Sequence, residues 1–308
     1  MENGALLSGN AFTGSDENLP MKVGVAIPTY NEKANLQLII DSLSNVFQIN
    51  KIGFKIVIVD DNSSDGTGQL ADQNAASNPN IFVIHRPGKL GLGSAYKEAF
   101  QYLLQDPQVT VVMEMDADLS HKPAYIPQLI AKIDEGYDVA IGSRYIEGGG
   151  IDKEWTGLRR LISKSANFLT VMFVGLNVKD ATGGFRAYDS CALRAINFSK
   201  IRTNGYAFQI DMLSQCSNAG CEIVETPIFF YERKHGKSKL ARTSMLEFIK
   251  TLEAAFFHRI ISIVVTAFQN SSIWLSNSLW LGIKPLRIAI RQANDQTLSF
   301  HNKEHFSR

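Results

Sequence analysis

Cysteine is scarce in this chain, and its number and spacing do not suit a covalent framework. The 308 residues hold three cysteines, Cys191, Cys216 and Cys221, with no CxxC pair. Neither a disulfide scaffold nor a zinc site is indicated, and buried reduced thiols are expected. Net charge is scarce too: 31 Lys and Arg against 30 Asp and Glu leave +1. So even a balance gives no overall pull toward nucleic acid, and an anion site has to be built locally. Residues 1–19 are rich in Gly, Asn, Ser and Asp and lack the basic-then-apolar pattern of a secretory leader. They read as a disordered lead-in. In the C-terminal tail, residues 258–308, the longest apolar run is Ile260–Ala267, soon followed by Gln269, Asn270, Ser271 and Ser272. That is far short of the ~20 residues of a membrane span.

Several phosphate and metal motifs are also missing. Gly236-Lys237-Ser238 resembles the end of a Walker A loop, but the earlier glycine is replaced by Tyr231. The Gly88–Gly93 stretch (GKLGLG) opens a helix after the third apolar run, not the first, which disfavours dinucleotide binding. It reads as a helix start that permits close backbone approach. An EF-hand beginning at Asp116 would need glycine and glutamate where His121 and Pro127 stand.

What is present is ordinary globular composition, with 45% hydrophobic and 20% charged residues, arranged with a clear rhythm. Five short apolar runs, Lys22–Ile27, Lys55–Val59, Ile81–Ile84, Val109–Met113 and Asp138–Ile141, alternate with amphipathic stretches such as Asn35–Phe47 and Ser94–Leu104. The alternation predicts βαβ units and a mostly parallel sheet covered on both faces. From Trp155 to Phe257 the alternation stops. There the pattern predicts a helix over Leu158–Val174, a loop at Asp180–Arg186, a helix at Phe208–Asn218 and a strand pair near Glu222–Tyr231. A basic loop at Arg233–Lys239 and a last helix ending near Phe257 complete a single domain over residues 20–257.

In open α/β sheets, ligands bind beyond the carboxyl ends of the strands. Those ends carry Pro28-Thr29-Tyr30-Asn31-Glu32, then Asp60-Asp61-Asn62, then Asp116-Ala117-Asp118-Leu119-Ser120-His121, then Gly142-Ser143-Arg144-Tyr145. Asp116 and Asp118 repel one another when both are ionised, so they call for a cation or a partner. Mg²⁺ bound through one or two carboxylates and the oxygens of a diphosphate meets that need. Arg159 and Ser163 are four apart, on one side of the predicted helix, and arginine's rigid fork suits phosphate. In the tail, Ile283, Leu286 and Ile290 share one helical face while Lys284, Arg287 and Arg291 share another. Such a pattern fits an interfacial amphipathic helix, and equally a helix packed on the domain with a solvated basic face.

The ordered set VAIPTYNE, IVIVDDNSSDGT, GLGSA, MDADLSH, GSRY, a Trp155–Arg159–Ser163 spacing, DATGGFRAY, GYAFQ and HGKSKL resembles the dolichyl-phosphate (polyprenyl-phosphate) mannosyltransferases. These are inverting family 2 glycosyltransferases. The resemblance runs from Lys22 to about Phe257, and its specificity lies in the ordered set more than in any one motif. It implies an α/β GT-A fold, a Rossmann-like mostly parallel sheet flanked by helices, with a C-terminal helical tail. The tail lacks the two transmembrane helices of some relatives, and no QxxRW motif of processive synthases occurs.

The resemblance also implies roles. Pro28, Tyr30, Glu32, Val59 and Asp61 resemble the nucleoside pocket for GDP-mannose. Asp116, Ala117, Asp118 and Ser120 resemble the diphosphate site, with Asp116, Asp118 and Ser120 on Mg²⁺ or Mn²⁺. Many relatives carry Gln at the position of Ser120, whose shorter hydroxyl would reach the metal through water. Arg144, Arg233 and Lys239 resemble donor-phosphate ligands, with Asp118, Arg144 and Arg233 as the catalytic set. Arg144, Arg159 and Ser163 resemble the seat of a polyprenyl phosphate. Peripheral attachment to the cytoplasmic face of a membrane is expected, with or without a separate anchoring subunit. UDP-glucose as donor, and a non-catalytic sugar-nucleotide or membrane-binding subunit, remain as alternatives.

Overall fold

The computed structural model describes residues 22–233 other than 202 and 206, together with 249, 250, 252, 253, 256 and 260. The chain divides into two compact units, Met1–Phe256 and Phe257–Arg308, and the sheet and its flanking helices lie in the first. The lead-in, the tail helix with Lys284, Arg287 and Arg291, and Lys239 lie outside the described residues. So does most of the last predicted helix. Among the described residues, no helix is long and apolar enough to cross a membrane.

The strands are β1 (Lys22–Thr29), β2 (Gly53–Asp60), β3 (Ile81–His85), β4 (Val109–Glu114), β5 (Val139–Ser143), β6 (Gly150–Ile151), β7 (Arg186–Asp189), β8 (Ile223–Pro227) and β9 (Phe229–Phe230). The helices are α1 (Lys33–Ile49), α2 (Thr67–Ser77), α3 (Leu92–Leu103), α4 (Ile126–Asp134), α5 (Gly157–Val174), α6 (Ser190–Arg194) and α7 (Phe208–Asn218). All five predicted apolar runs are strands. The main sheet runs β3-β2-β1-β4-β7-β5-β8. Its strands pair in parallel except for β7, which is antiparallel to both β4 and β5.

Period-two alternation divides each central strand between two cores. Val25 and Ile27 of β1 join Leu36, Ile39 and Leu43 of α1 and Leu129 of α4 on one face. Ala26 and β2's Val57 and Val59 join Tyr96, Phe100 and Leu103 of α3 and Met212 and Leu213 of α7 on the other. Strands covered on both faces have little need of polar residues, which is why they read as unbroken apolar runs.

Two expectations need correction. The stretch near Glu222–Tyr231 does hold two strands, but they do not pair with each other. β8 extends the main sheet beside β5, and β9 pairs with β6 in a separate two-stranded ribbon. The predicted loop at Asp180–Arg186 runs directly into β7, a strand the alternation does not reveal. With only four residues, β7 is too short for a periodic signal, and its central position comes from pairing on both sides. The thiols also differ from expectation: Cys216 is buried, Cys221 is half-buried and Cys191 is exposed, and none forms a disulfide.

The glycine-rich turn does provide close approach. Gly91 caps α3 with φ +102°, and a Cβ there would lie 2.6 Å from the Asn204 carbonyl oxygen. The chain after residue 201 is thereby seated against the start of α3.

Candidate active site

The parallel strands β1 and β4 are neighbours although β2 and β3 lie between them in sequence. Their connections leave in opposite directions along the sheet, which opens a crevice beyond their carboxyl ends. Three loops at this end turn through left-handed residues, Asn31 (φ 54°), Asn62 (φ 57°) and Leu119 (φ 63°). Asparagine tolerates this region, whereas leucine pays roughly 1–2 kcal/mol for it. Strain at Leu119 therefore sits inside the Asp116–Ser120 turn.

The first group of predicted residues gathers at the ends of β1 and β2, where Pro28 is in register with Val59. The Lys89 ammonium lies 4.5 Å from the Tyr30 ring centroid. The Glu32 carboxylate accepts from Asn35 Nδ2 at 2.8 Å. The Val59 side chain is wholly buried, so its backbone is what remains for a ligand. Asp61 is also buried and forms an ion pair with Arg86. Arg86 further donates to Ser94 Oγ and the Gly91 carbonyl, tying this corner to the start of α3.

The second group surrounds a cavity of about 460 Å³. Asp116, Asp118, Arg144, Arg159, Ser163 and Arg233 all line it. One chamber thus brings together some of the residues expected for the metal, the donor phosphates and the acceptor, while Ser120, Ala117 and the nucleoside-pocket residues do not line it. Ala117 is buried beneath the turn. Asp118 is paired with Arg233 at 3.2 Å and accepts from the Ser120 amide at 3.0 Å and the Ser120 hydroxyl at 2.5 Å. Ser120 is therefore placed to orient Asp118, and its hydroxyl proton is already committed there.

Asp116 accepts from the Tyr96 hydroxyl at 3.2 Å. Burial, together with the neighbouring Asp118 charge, pushes its pKa up to about 7. A carboxylate held at this cost fits a site that takes a cation. Among the described residues no group of three or more His, Cys, Asp and Glu is placed to hold a metal. A divalent ion here would therefore draw on the two aspartates and complete its shell with substrate oxygens and water, as Mg²⁺ commonly does.

The same shift yields a stability prediction for the metal-free protein. A carboxyl whose folded pKa lies above its unfolded value contributes fully below about 3.8 and loses that contribution as pH rises through about 7. Asp116→Asn should therefore raise the melting temperature more at about pH 8 than at about pH 5, by roughly 2–4 °C for each kcal/mol relieved. Thermal denaturation at the two pH values checks this. An equal gain at both would show that charge on Asp116 carries no folding cost.

Several residues central to the site do not stand out by their sequence positions. Asp180, wholly buried, holds Arg144 in a fork: Nε donates to Oδ2 and Nη2 to Oδ1, both at 2.7 Å. Burial alone would raise the Asp180 pKa, but Arg144 outweighs it and holds the carboxyl below its usual range. The motif DATGGFR contains Asp180 without revealing its partner 36 residues earlier. His121 is 2% exposed, stacks on Phe185 at 5.1 Å and meets Phe230 edge-on at 5.1 Å. Burial lowers its pKa to about 4, so the ring is neutral at pH 7. Beneath Asp116, Glu114 and Arg186 are wholly buried and 3.4 Å apart. Burial pushes Glu114 up to about 7 even with Arg186 beside it.

On α5, Thr156 caps the first turn by accepting from the Arg159 amide at 3.3 Å, and Gly175 ends the helix with φ 77°. Arg159 lies 3.7 Å from the Trp155 ring centroid and pairs with Glu232 at 2.5 Å. The Ser163 hydroxyl bonds the Tyr145 hydroxyl at 2.8 Å. Arg144 lies near the rings of Tyr145 and Phe230, and Tyr145 in turn bonds Ser163 of α5.

A mostly parallel sheet with paired carboxylates at its switch point defines a GT-A-type fold. The chain belongs to glycosyl transferase family 2, whose profile matches residues 24–196. It is 41% identical over 225 residues to the polyprenol monophosphomannose synthase of Mycolicibacterium smegmatis, covering 72% of this chain and 82% of that protein. It is 40% identical over 221 residues to the undecaprenyl-phosphate mannosyltransferase of Micrococcus luteus, covering 72% and 88%. Among solved structures, glucosyl-3-phosphoglycerate synthase from Mycobacterium tuberculosis, in complex with Mn²⁺, UDP and phosphoglyceric acid, superimposes with a TM-score of 0.55. The identity is 19%, covering 77% of this chain and 78% of that one, a likeness of fold.

Proposed function

We propose that this glycosyltransferase moves mannose from GDP-mannose to a polyprenyl phosphate with inversion, giving a lipid-linked sugar for glycosylation. The observation that carries the reading is the shared chamber, which Asp116 and Asp118 line together with Arg144, Arg159 and Ser163. The two mannosyltransferase relatives support the choice of sugar and acceptor.

The acceptor phosphate is already anionic at neutral pH and needs no general base. His121, neutral and held between Phe185 and Phe230, fits a site that asks for none. An acceptor phosphate oxygen forms a bond to the anomeric carbon as the bond from that carbon to the diphosphate breaks, and GDP departs with the electron pair. A single displacement converts an α-linked donor to a β-linked product. Repulsion between two anions is the main obstacle, and Arg144 and Arg233 offset it by presenting fixed positive charge to the phosphates. Mg²⁺ or Mn²⁺ on Asp116 and Asp118 would add charge neutralisation at the leaving diphosphate. Holding both reactants in line supplies further acceleration.

The nucleotide is water-borne and the prenyl tail is bilayer-borne, so the enzyme works peripherally at the cytoplasmic face of a membrane. The test is incubation with GDP-mannose or UDP-glucose, Mg²⁺ or Mn²⁺ and a short polyprenyl phosphate, followed by mass analysis of the lipid. A hexosyl product from UDP-glucose alone would overturn the donor, and no lipid product from either would overturn the activity.

Arg159→Ala should raise the apparent KM for the lipid phosphate and leave nucleotide affinity nearly unchanged. Losing a charge-assisted contact costs roughly 1.5–3 kcal/mol, or about ten- to a hundred-fold in KM. Saturation kinetics in each substrate check this. Weakened GDP binding with normal lipid saturation would reassign Arg159 to the donor.

A further inference from the structure

A second cavity, of about 600 Å³, lies along the other flank of α5. Arg160, Lys164 and Lys179 line it, Arg144 lines both it and the reaction chamber, and among the described residues no acidic side chain lines it. The Arg160 Nη2 donates to the Asp152 carbonyl at 2.9 Å, and its buried Nε has no hydrogen-bond partner among the described residues. Lys164 and Lys179 make no ion pair among the described residues. Two nearby carboxylates are already engaged: Asp180 by Arg144, and Glu225 by the backbone amides of Lys179 and Asp180. Ile151, Val171 and Val178 give it an apolar lining, to which the exposed Phe168 adds. Arg160 has the Asp152 carboxylate nearby, so the cations left without a counter-charge are Lys164 and Lys179, and two such cations over an apolar lining suit an anionic amphiphile.

The surface beside the cavity points to the same occupant. With 3.6 residues per turn, Leu158, Leu161, Ile162, Leu169 and Met172 form one outward ridge on α5, each 37–68% exposed. Asn167 and Thr170, on the opposite side, are buried against the domain. A contiguous run of large exposed apolar side chains marks an interaction or membrane surface. Arg159 borders the ridge on one side and Lys164 on the other, while Ser163 and Arg160 lie closer to the buried side of the helix. A helix with an apolar ridge between cationic flanks matches a headgroup layer better than it matches water.

We propose that the Arg160–Lys164–Lys179 cavity binds the phosphate headgroup of an anionic membrane phospholipid, and so seats the α5 ridge in the bilayer surface. Both flanks of α5 then open at headgroup depth. The reaction chamber meets the acceptor phosphate where that phosphate resides, without the lipid leaving the membrane. The site adjoins the acceptor seat across Arg144 and is built from different lysines, and the kinetic part of its test rests on the function proposed above.

The test uses the full chain and the double variant Lys164→Glu/Lys179→Glu. Flotation is measured with vesicles of phosphatidylcholine alone and of phosphatidylcholine mixed with phosphatidylglycerol. The variant should bind the mixed vesicles on the order of tenfold more weakly or worse, with binding to neutral vesicles unchanged. With a short polyprenyl phosphate in detergent it should turn over like the wild type. With the acceptor embedded in mixed vesicles its apparent KM should rise. Equal flotation of the two proteins would overturn the proposal. Displacement from mixed vesicles by inorganic phosphate at an ionic strength where chloride has no effect would make this a free-phosphate site. Loss of turnover in detergent would make the cavity part of the reaction site. A dimer broken by Leu161→Gln, with flotation unchanged, would give the ridge to a second copy. If no sugar transfer is found with any protein, the flotation result still decides the headgroup site by itself.

Discussion

Asp118→Ala is expected to reduce sugar transfer to less than about a tenth of the wild-type rate while the protein stays folded. The side chain faces the reaction chamber and is held from two directions, by Ser120 within its own turn and by Arg233 across the cavity. Such restraint fixes a carboxylate for a ligand that must arrive in one place. With Asp118 as the metal ligand proposed above, its removal would cost several kcal/mol of transition-state stabilisation, and it would also take away the carboxylate that pairs with Arg233. Folding should survive, because Asp118 lies in the turn after β4 and not within either hydrophobic core. Product formation measured beside circular dichroism checks both halves. A well-folded variant that keeps more than about a tenth of the rate would remove Asp118 from the chemistry.

Asp180→Ala is expected to produce the largest loss of stability. Arg144 and Asp180 are both buried, with side-chain exposures of 9% and 0%. Deleting one member of such a pair leaves an uncompensated charge, at a typical cost of about 3–5 kcal/mol. For a domain of this size that corresponds to a melting temperature lower by roughly 6–20 °C. Transfer should also fall, since Arg144 loses the fork that aims it. The folded pKa of Asp180 is held below its usual 3.8. Its contribution is therefore present above about 3.8 and disappears as pH falls through the lower folded value. The gap between wild type and variant should accordingly be widest near neutrality and narrow in strong acid. Melting curves across that range decide it. A neutral-pH loss under about 1 kcal/mol would mean that Arg144 finds another partner or water.

Much of the frame was legible because it depends on local pattern. The five apolar runs became strands because continuous β-branched and aliphatic stretches can hide both faces only inside a covered sheet. The helices α5 and α7 could be read because their periodicity extends over three turns or more. Asp116 and Asp118 stood out as a close carboxylate pair at a strand end, and Arg159 and Ser163 as a helical i,i+4 pair. Each of these signals is short in sequence, so it survives without knowledge of what lies across the fold.

What the sequence could not reveal depended on partners far apart along the chain. β7 is four residues long and carries no periodicity, yet it is inserted between β4 and β5. Tyr96 reads as one more core residue of an amphipathic helix, and only the crossing of α3 beneath β4 brings its hydroxyl to Asp116. Asp180 meets Arg144, Glu232 meets Arg159 and Arg233 meets Asp118 across gaps of 36, 73 and 115 residues, the last from the difference 233 − 118. Charge and hydrogen-bonding capacity are written in the sequence at each of these positions. Which charge faces which is a matter of distance, because hydrogen bonds are lost within about an ångström of stretching and Coulomb energy weakens with separation and screening, and only the packed chain sets those distances.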